Sequence, residues 1–349
     1  MTTNELESTI AALMAPGKGI LAADESHATI ARRFERLAIE PTEESRRRYR
    51  QMLLTTPGIA QYIGGVILFD ETLRQRGDDG RLFVEILAAT GIVPGIKVDA
   101  GTTPLAQAPG EYITEGLDGL RDRLEEYRRL GARFAKWRAV IGIGAGRPSS
   151  YCLDTNAHAL ARYATLCQEA GLVPIVEPEV LMDGTHSLER GFAVTEATLE
   201  RVFAALGSQR VALEQMLLKP NMVLPGSSAP RPATSREVAE ATVRCLRRTV
   251  PAAVPGIVFL SGGQDAKAAT AHLNAMNAPP ANRPWPLGFS FARALQGPAL
   301  EAWRGEARNV PAAQRAFIRR ARCNSAAREG RYTLELEQGE DPLAGERRP

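Results

Sequence analysis

The chain is 349 residues long, 44% apolar and 24% charged, the make-up of an ordinary globular protein that can bury a large core. Its formal net charge of +3 is too small to point to nucleic acid or a membrane surface as a partner. No apolar run is long enough to span a bilayer, and the four cysteines stand too far apart to suggest a zinc or redox pair, so free thiols in a reducing compartment are expected.

The chain opens on MTTNELESTIAALMAPGKG, an acidic amphipathic stretch unlike a secretory signal, which favours a cytoplasmic protein. The first β-rich apolar run is GILAAD (19–24). In PTEESRRRYR, Thr42 or Ser45 can cap a helix whose Arg46, Arg47 and Arg48 form a solvated face behind Glu40, Glu43 and Glu44. Further apolar runs follow at intervals: GGVILFD (64–70), VPGIKVD (93–99), ARFAKWRAV (132–140), LVPIVEPE (172–179), QMLLKP (215–220), GIVFLSGG (256–263) and PWPLGFSFA (284–292). Helical periodicity fills the gaps. In TNAHALARYATLCQEAGL, Leu160, Tyr163, Ala164 and Cys167 recur at three- and four-residue spacing, and Gly171 ends the pattern. SREVAEATVRCLRRTVP repeats the form and stops at Pro251. LPGSSAPRPATS (224–235) reads as the most flexible insertion, and the chain after Arg331 as a polar, loose tail. The expected organisation is one domain over residues 1–335 with a tail at 336–349.

Eight strands alternating with helices predict a parallel sheet, and closure into a single-domain (β/α)8 barrel is the natural solution for that number. An open doubly wound sheet is the alternative. GILAADESHATIARR lacks the G-x-G-x-x-G turn that such a fold often carries after its first strand.

Polar residues end these runs: Asp24, Lys97, Lys136 with Arg138, Glu177 with Glu179, Lys219, Ser261 and Arg293. Side chains alternate across a strand, so Lys136 shares a face with Arg138, and Glu177 with Glu179. In a barrel the C-terminal strand ends converge on one mouth, where barrel enzymes carry out their chemistry. Scattered structural ion pairs are the plainer reading. Gly262-Gly263 before a helix-like segment offers free backbone N–H groups to an anion, reinforced by Arg293 on the next strand round. Arg32-Arg33 form a second basic cluster beyond Asp24. Two cationic anchors flanking a lysine and carboxylate centre suggest an elongated substrate with a phosphate at each end. Lys219 ends an apolar run, directly before Pro220. A lysine amine attacks carbonyls in its neutral form, which burial and a neighbouring cation such as Lys136 favour, so Lys219 is placed for Schiff-base chemistry.

KGILAADES, GIKVDAG, FAKWRAVIGIG, VPIVEPEV, LLKPNMVLPG, FLSGGQ and FSFARALQGPALEAW together resemble class I fructose-bisphosphate aldolases, in order, from about residue 5 to about 333. The resemblance implies a metal-independent barrel enzyme, without a cofactor, that reversibly cleaves fructose 1,6-bisphosphate to dihydroxyacetone phosphate and glyceraldehyde 3-phosphate. By position it makes Lys219 the Schiff-base lysine, and Glu177, with Glu179 behind it, the acid/base that dehydrates the carbinolamine. It sets Asp24 at the C4 hydroxyl proton and Lys136 as an assisting charge beside Arg138. Ser261, Gly262, Gly263, Ser290 and Arg293 resemble the phosphate site nearest the ketone, and Thr29, Arg32, Arg33 and Lys97 the other end. Relatives are usually homotetramers. Plainer roles stay open: Asp24 or Ser26 as a helix cap, Lys97 as partner of Asp99, and Glu177 and Glu179 as buried ion-pair partners. A metal-dependent lyase would need clustered ligands, but His27, His158, His186 and His272 stand singly. Other sugar phosphates, such as sedoheptulose bisphosphate, and a non-enzymatic scaffold are further alternatives. The family's terminal tyrosine is missing; the nearest is Tyr332, and no tail function is expected of it.

Overall fold

The computed structural model describes residues 3–279 and 283–338. Eight parallel strands close a barrel in sequence order: β1 (Gly19–Ala23), β2 (Ile63–Leu68), β3 (Val93–Lys97), β4 (Phe134–Ile141), β5 (Val173–Val180), β6 (Leu217–Leu218), β7 (Ile257–Phe259) and β8 (Leu287–Phe291). The seam closes where β8 pairs with β1, with Ile20 opposite Ser290 and Leu21 opposite Phe291. Helices connect the strands on the outside, so the expected (β/α)8 barrel is the fold.

Strand alternation sorts the side chains into two cores. Leu21, Ala23, Val66, Leu68, Ala135, Trp137 and Val176 face outward into the helix layer. Ile20, Ala22, Ile67, Phe134, Val173, Ile175, Leu217 and Val258 fill the interior, and Leu6, Ile10 and Leu13 of the N-terminal helix (Thr3–Leu13) plug its floor. Phe134 fits because β3 carries Gly95 beside it: a Cβ there would stand 2.3 Å from the ring. Two residues further along each strand the same inward parity brings up Asp24 above Ala22, Lys136 above Phe134, Glu177 above Ile175 and Lys219 above Leu217.

Several local expectations change. Thr42 is the helix cap, accepting from the Ser45 N–H at 3.1 Å. The arginine run behind it is no free solvated face: Arg46 holds Glu71 at 2.5 Å and Arg47 holds Asp78 at 2.9 Å. The 224–235 insertion is pinned, with the N–H groups of Gly226, Ser227 and Ser228 donating to the carbonyls of His186, Met182 and Gly184. After Arg331 the described chain is docked. Tyr332 is buried, its hydroxyl donates to Glu337 Oε1 at 2.7 Å, and Glu337 pairs with the buried Arg320. Glu335–Gln338 is a short helix, and residues 339–349 of the expected tail lie outside the described residues. An unforeseen hairpin, Gly101–Pro104 with Tyr112–Glu115, follows β3, starting at Gly101 with φ 97°. The four cysteines are buried and unbridged.

Candidate active site

The strand ends deliver a compact alternation of charge at the barrel mouth. Lys219, at the end of β6, has its Nζ 3.1 Å from Glu177 Oε1. The other oxygen of Glu177 faces Lys136 Nζ at 3.4 Å. Lys136 also meets Asp24 Oδ2 at 2.7 Å and Asp99 Oδ2 at 3.7 Å, while Asp99 Oδ1 takes Lys97 Nζ at 2.6 Å. Above this layer Arg138 pairs with Glu179, and the Arg138 N–H donates to Asp99 Oδ2 at 3.3 Å. Lys136, Lys219 and Glu177 are each 3–4% exposed, so water contributes little to their solvation and they depend on one another.

That mutual dependence fixes protonation. Burial alone would depress the Lys136 ammonium, but Asp24, Glu177 and Asp99 outweigh it and hold it well above the usual lysine range. Burial likewise works to raise the Asp24 carboxyl, and Lys136, Lys219 and Lys97 overcome it and hold Asp24 well below the usual carboxylate range. At neutral pH the centre therefore contains a fixed cation on Lys136 and a fixed anion on Asp24. The capping role that competed for Asp24 belongs to Ser26, whose Oγ accepts from the Thr29 N–H at 3.4 Å.

The Ser261–Gly263 turn leaves β7 on the rim beside Glu179: a Cβ on Gly262 would stand 3.7 Å from Glu179 Oε1. Gly262 and Gly263 have φ of 53° and 92°, in the left-handed region that favours glycine, and their N–H groups carry no hydrogen bond among the described residues. Arg293 is not on the strand, as expected, but opens the helix that follows β8 (Arg293–Trp303), where its Nη2 donates to Gly263 O at 2.5 Å; the buried Ser290 Oγ on β8 has no partner among the described residues, so an unsatisfied hydroxyl and a guanidinium reach the same rim. The helix after the glycine turn (Ala266–Asn277) is capped by Asp265, whose Oδ1 takes the N–H groups of Lys267 and Ala268, so the free donors are those of the turn itself.

The second basic cluster divides. Thr29 and Arg32 lie on the helix His27–Glu35, and Arg32 is exposed without a partner among the described residues. Arg33 instead pairs with Glu25, a buried carboxylate that also binds Arg50 at 2.6 Å and accepts from Gln296 at 2.9 Å. Lys97 is likewise committed to Asp99, the plainer of its two sequence readings. Glu25 is the residue sequence reasoning missed, and Asp99, foreseen only as a partner of Lys97, also joins the centre through Lys136. Asp99 was readable as the same-face partner of Lys97, whereas nothing in the sequence couples Glu25 to Arg50.

The chain matches the family model for "Fructose-bisphosphate aldolase class-I" over residues 5–344. It is 56% identical to the probable fructose-bisphosphate aldolase class 1 of Xanthomonas axonopodis pv. citri, over 95% of this chain and 99% of that protein. It is 53% identical to the fructose-bisphosphate aldolase of Dictyostelium discoideum, over 96% of this chain and 95% of that protein. Among solved structures it is similar to the fructose-bisphosphate aldolase of Plasmodium falciparum, in a complex with TRAP and a small-molecule inhibitor, with a TM-score of 0.93, 47% identity and 95% of each chain covered. Fold and site define a barrel enzyme built around buried lysines and carboxylates. The chain belongs to the class I fructose-bisphosphate aldolase family. The activity that goes with this membership is a carbon–carbon lyase reaction of glycolysis, the reversible cleavage of fructose 1,6-bisphosphate to dihydroxyacetone phosphate and glyceraldehyde 3-phosphate through a lysine imine.

Proposed function

We propose that Lys219 is the amine that takes up the substrate ketone. The observation that carries this reading is two buried lysines on one carboxylate, with Glu177 3.1 Å from Lys219 and 3.4 Å from Lys136. Lys136 is locked as a cation by three carboxylates, which leaves Lys219 as the nucleophile. Attack of Lys219 Nζ on the C2 carbonyl gives a carbinolamine. Glu177 then protonates the departing hydroxyl, water leaves, and a protonated imine forms. Asp24, ionised at neutral pH, accepts the C4 hydroxyl proton while the C3–C4 bond breaks. The bond's electron pair moves into the imine, leaving an enamine on Lys219 and releasing glyceraldehyde 3-phosphate. Protonation of the enamine at C3 and hydrolysis free dihydroxyacetone phosphate and restore the amine. Glu179 orients Arg138 beside this centre. The protonated imine is itself the electron sink, so the scheme uses neither a metal nor another cofactor.

The glycine turn Ser261–Gly263, with Ser290 and Arg293, is the binding place for the phosphate nearest the ketone. The other phosphate falls to the end carrying Thr29, Arg32, Arg33, Lys97 and Arg138. Support is most direct for Arg32, because Arg33 and Lys97 already hold carboxylates. A cytoplasmic setting is supported by an Arabidopsis thaliana relative named as cytosolic, 52% identical over 97% of this chain and 86% of that protein, and by the lack of a membrane-spanning helix among the described residues. Residues 1–335 form the catalytic unit, and a homotetramer follows by family analogy.

The test is to incubate the chain with dihydroxyacetone phosphate, reduce with borohydride in the presence of EDTA, and map the adduct by peptide mass spectrometry. An adduct on Lys219 with loss of cleavage activity is expected. An adduct on another lysine, or none, would remove Lys219 from the mechanism.

A further inference from the structure

The Glu177–Lys219 contact crosses the seam between β5 and β6, and that seam is short of backbone hydrogen bonds. On β5 the N–H groups of Val173 and Leu181 point to the β4 side, bonding Arg133 O at 3.1 Å and Ile141 O at 2.9 Å. Alternation turns positions 174, 176, 178 and 180 towards β6, and two of these, Pro174 and Pro178, have no hydrogen to donate. Opposite them β6 is two residues long, Leu217–Leu218, and Pro220 follows shortly after it. The last backbone bond across the seam is the Lys219 N–H to Val176 O at 2.8 Å. Past that point the Val180 N–H donates to a side chain, the Oδ1 of buried Asn221, at 2.9 Å. The carboxamide cannot turn freely, because its Nδ2 donates to Thr195 Oγ1 at 3.2 Å and to Met222 O at 3.0 Å.

We infer that Asn221 is a positioning residue for the reaction: its carboxamide stands in for the missing ladder bond and sets the gap across which Glu177 meets Lys219. This rests on the assignment of Lys219 as the imine-forming lysine. Asn221 touches no substrate in this scheme and acts through the spacing of two strands. Removing it frees the Val180 N–H, lets the end of β5 move from β6, and misaligns Glu177 for protonating the departing hydroxyl. The phosphate anchors lie elsewhere on the rim, so turnover suffers and substrate binding does not. A misplacement on the order of 1 Å at a proton-transfer pair costs up to about a hundredfold in rate.

The experiment compares the wild-type chain with Asn221→Ala, Asn221→Asp, Thr195→Val and the Asn221→Ala/Thr195→Val double variant. It reads kcat and KM for fructose 1,6-bisphosphate cleavage and the rate at which borohydride traps dihydroxyacetone phosphate on Lys219. Asn221→Ala is expected to lose about tenfold to a hundredfold in kcat, with KM within about threefold and trapping slowed in parallel. Asn221→Asp, which keeps an acceptor for the Val180 N–H, recovers part of the loss. Thr195→Val, which removes one of the two acceptors that orient the carboxamide, shows a smaller loss in kcat, and the double variant is no worse than Asn221→Ala. A wild-type kcat and trapping rate in Asn221→Ala, or a loss confined to KM, overturns the inference. If Asn221→Ala does not fold, Thr195→Val decides: wild-type kcat and trapping there overturn it. Wild-type protein that traps no substrate on Lys219 sinks the catalytic assignment and this inference together. Wild-type trapping on Lys219 with unchanged trapping in the variants sinks the role of Asn221 alone.

Discussion

Lys136→Met removes the buried cation on which the carboxylates of Asp24, Glu177 and Asp99 converge. Its Nζ lies 2.7 Å from Asp24, 3.4 Å from Glu177 and 3.7 Å from Asp99. At an effective dielectric of about 20 each contact carries roughly 4–6 kcal/mol of gross Coulomb attraction. Burying the ammonium offsets much of that, and the net cost of removing one partner from such a buried cluster is about 3–5 kcal/mol. The pH dependence is the sharper signature. In the wild type the folded-state pKa of Asp24 lies below its ordinary 3.8, so its stabilisation is present above that pH and is lost as pH falls further. In the variant, burial without Lys136 pushes the Asp24 carboxyl up. It is then tolerated best when protonated, and the variant loses stability as pH rises. The stability gap should therefore widen between pH 5 and pH 8 by at least about 1 kcal/mol, one shifted unit being worth about 1.4 kcal/mol. Chemical denaturation of both proteins at the two pH values measures it. A gap below about 1 kcal/mol at both would mean that Lys136 is not the centre of the charge network. Cleavage should fall by about a hundredfold or more, because a fixed charge beside the reacting atoms is gone.

Tyr332→Phe should leave kcat within about twofold, because the hydroxyl is held inside the fold by Glu337, and should cost about 1 kcal/mol of stability. A tenfold loss of turnover with unchanged KM would give Tyr332 a part in the chemistry. His272 is buried at 2.6 Å from Gln264 Oε1, and burial pushes it down to about 4. Its folded value lies below the ordinary ~6.5, so acid favours unfolding, and the loss sets in as pH falls through ~6.5 and levels off below the folded value. Between pH 7.5 and pH 5, His272→Asn should gain about 2 kcal/mol on the wild type in denaturation experiments. A pH-independent difference would mean that His272 is not neutral in the fold.

The described part of the C-terminal region shows why local reading stops short. Polar composition after Arg331 suggested a loose chain, yet Arg320, buried in the long helix Val310–Arg328, waits for a carboxylate, and Glu337 supplies it. Burial of Arg320 is a tertiary fact, and so is the use of Glu337. The arginine run at 46–48 was misread for the same reason: its partners Glu71 and Asp78 come from a different connection between strands.

What the sequence determined by itself is the barrel and the residues on its mouth. Strand periodicity, turn residues and the polar terminus of each apolar run are local properties, and alternation alone puts Asp24, Lys136, Glu177 and Lys219 two residues above the apolar floor. Tertiary structure alone decided who pairs with whom. Barrel closure brings β1, β4, β5 and β6 to one mouth, so that Glu177 sits between two lysines, Asp99 joins Lys97 to Lys136, and Arg33 turns from the rim to Glu25. Those pairings depend on strand register and on the geometry of closure, which relate residues far apart in the chain, and the energy of a buried charge depends on the partners that closure brings to it.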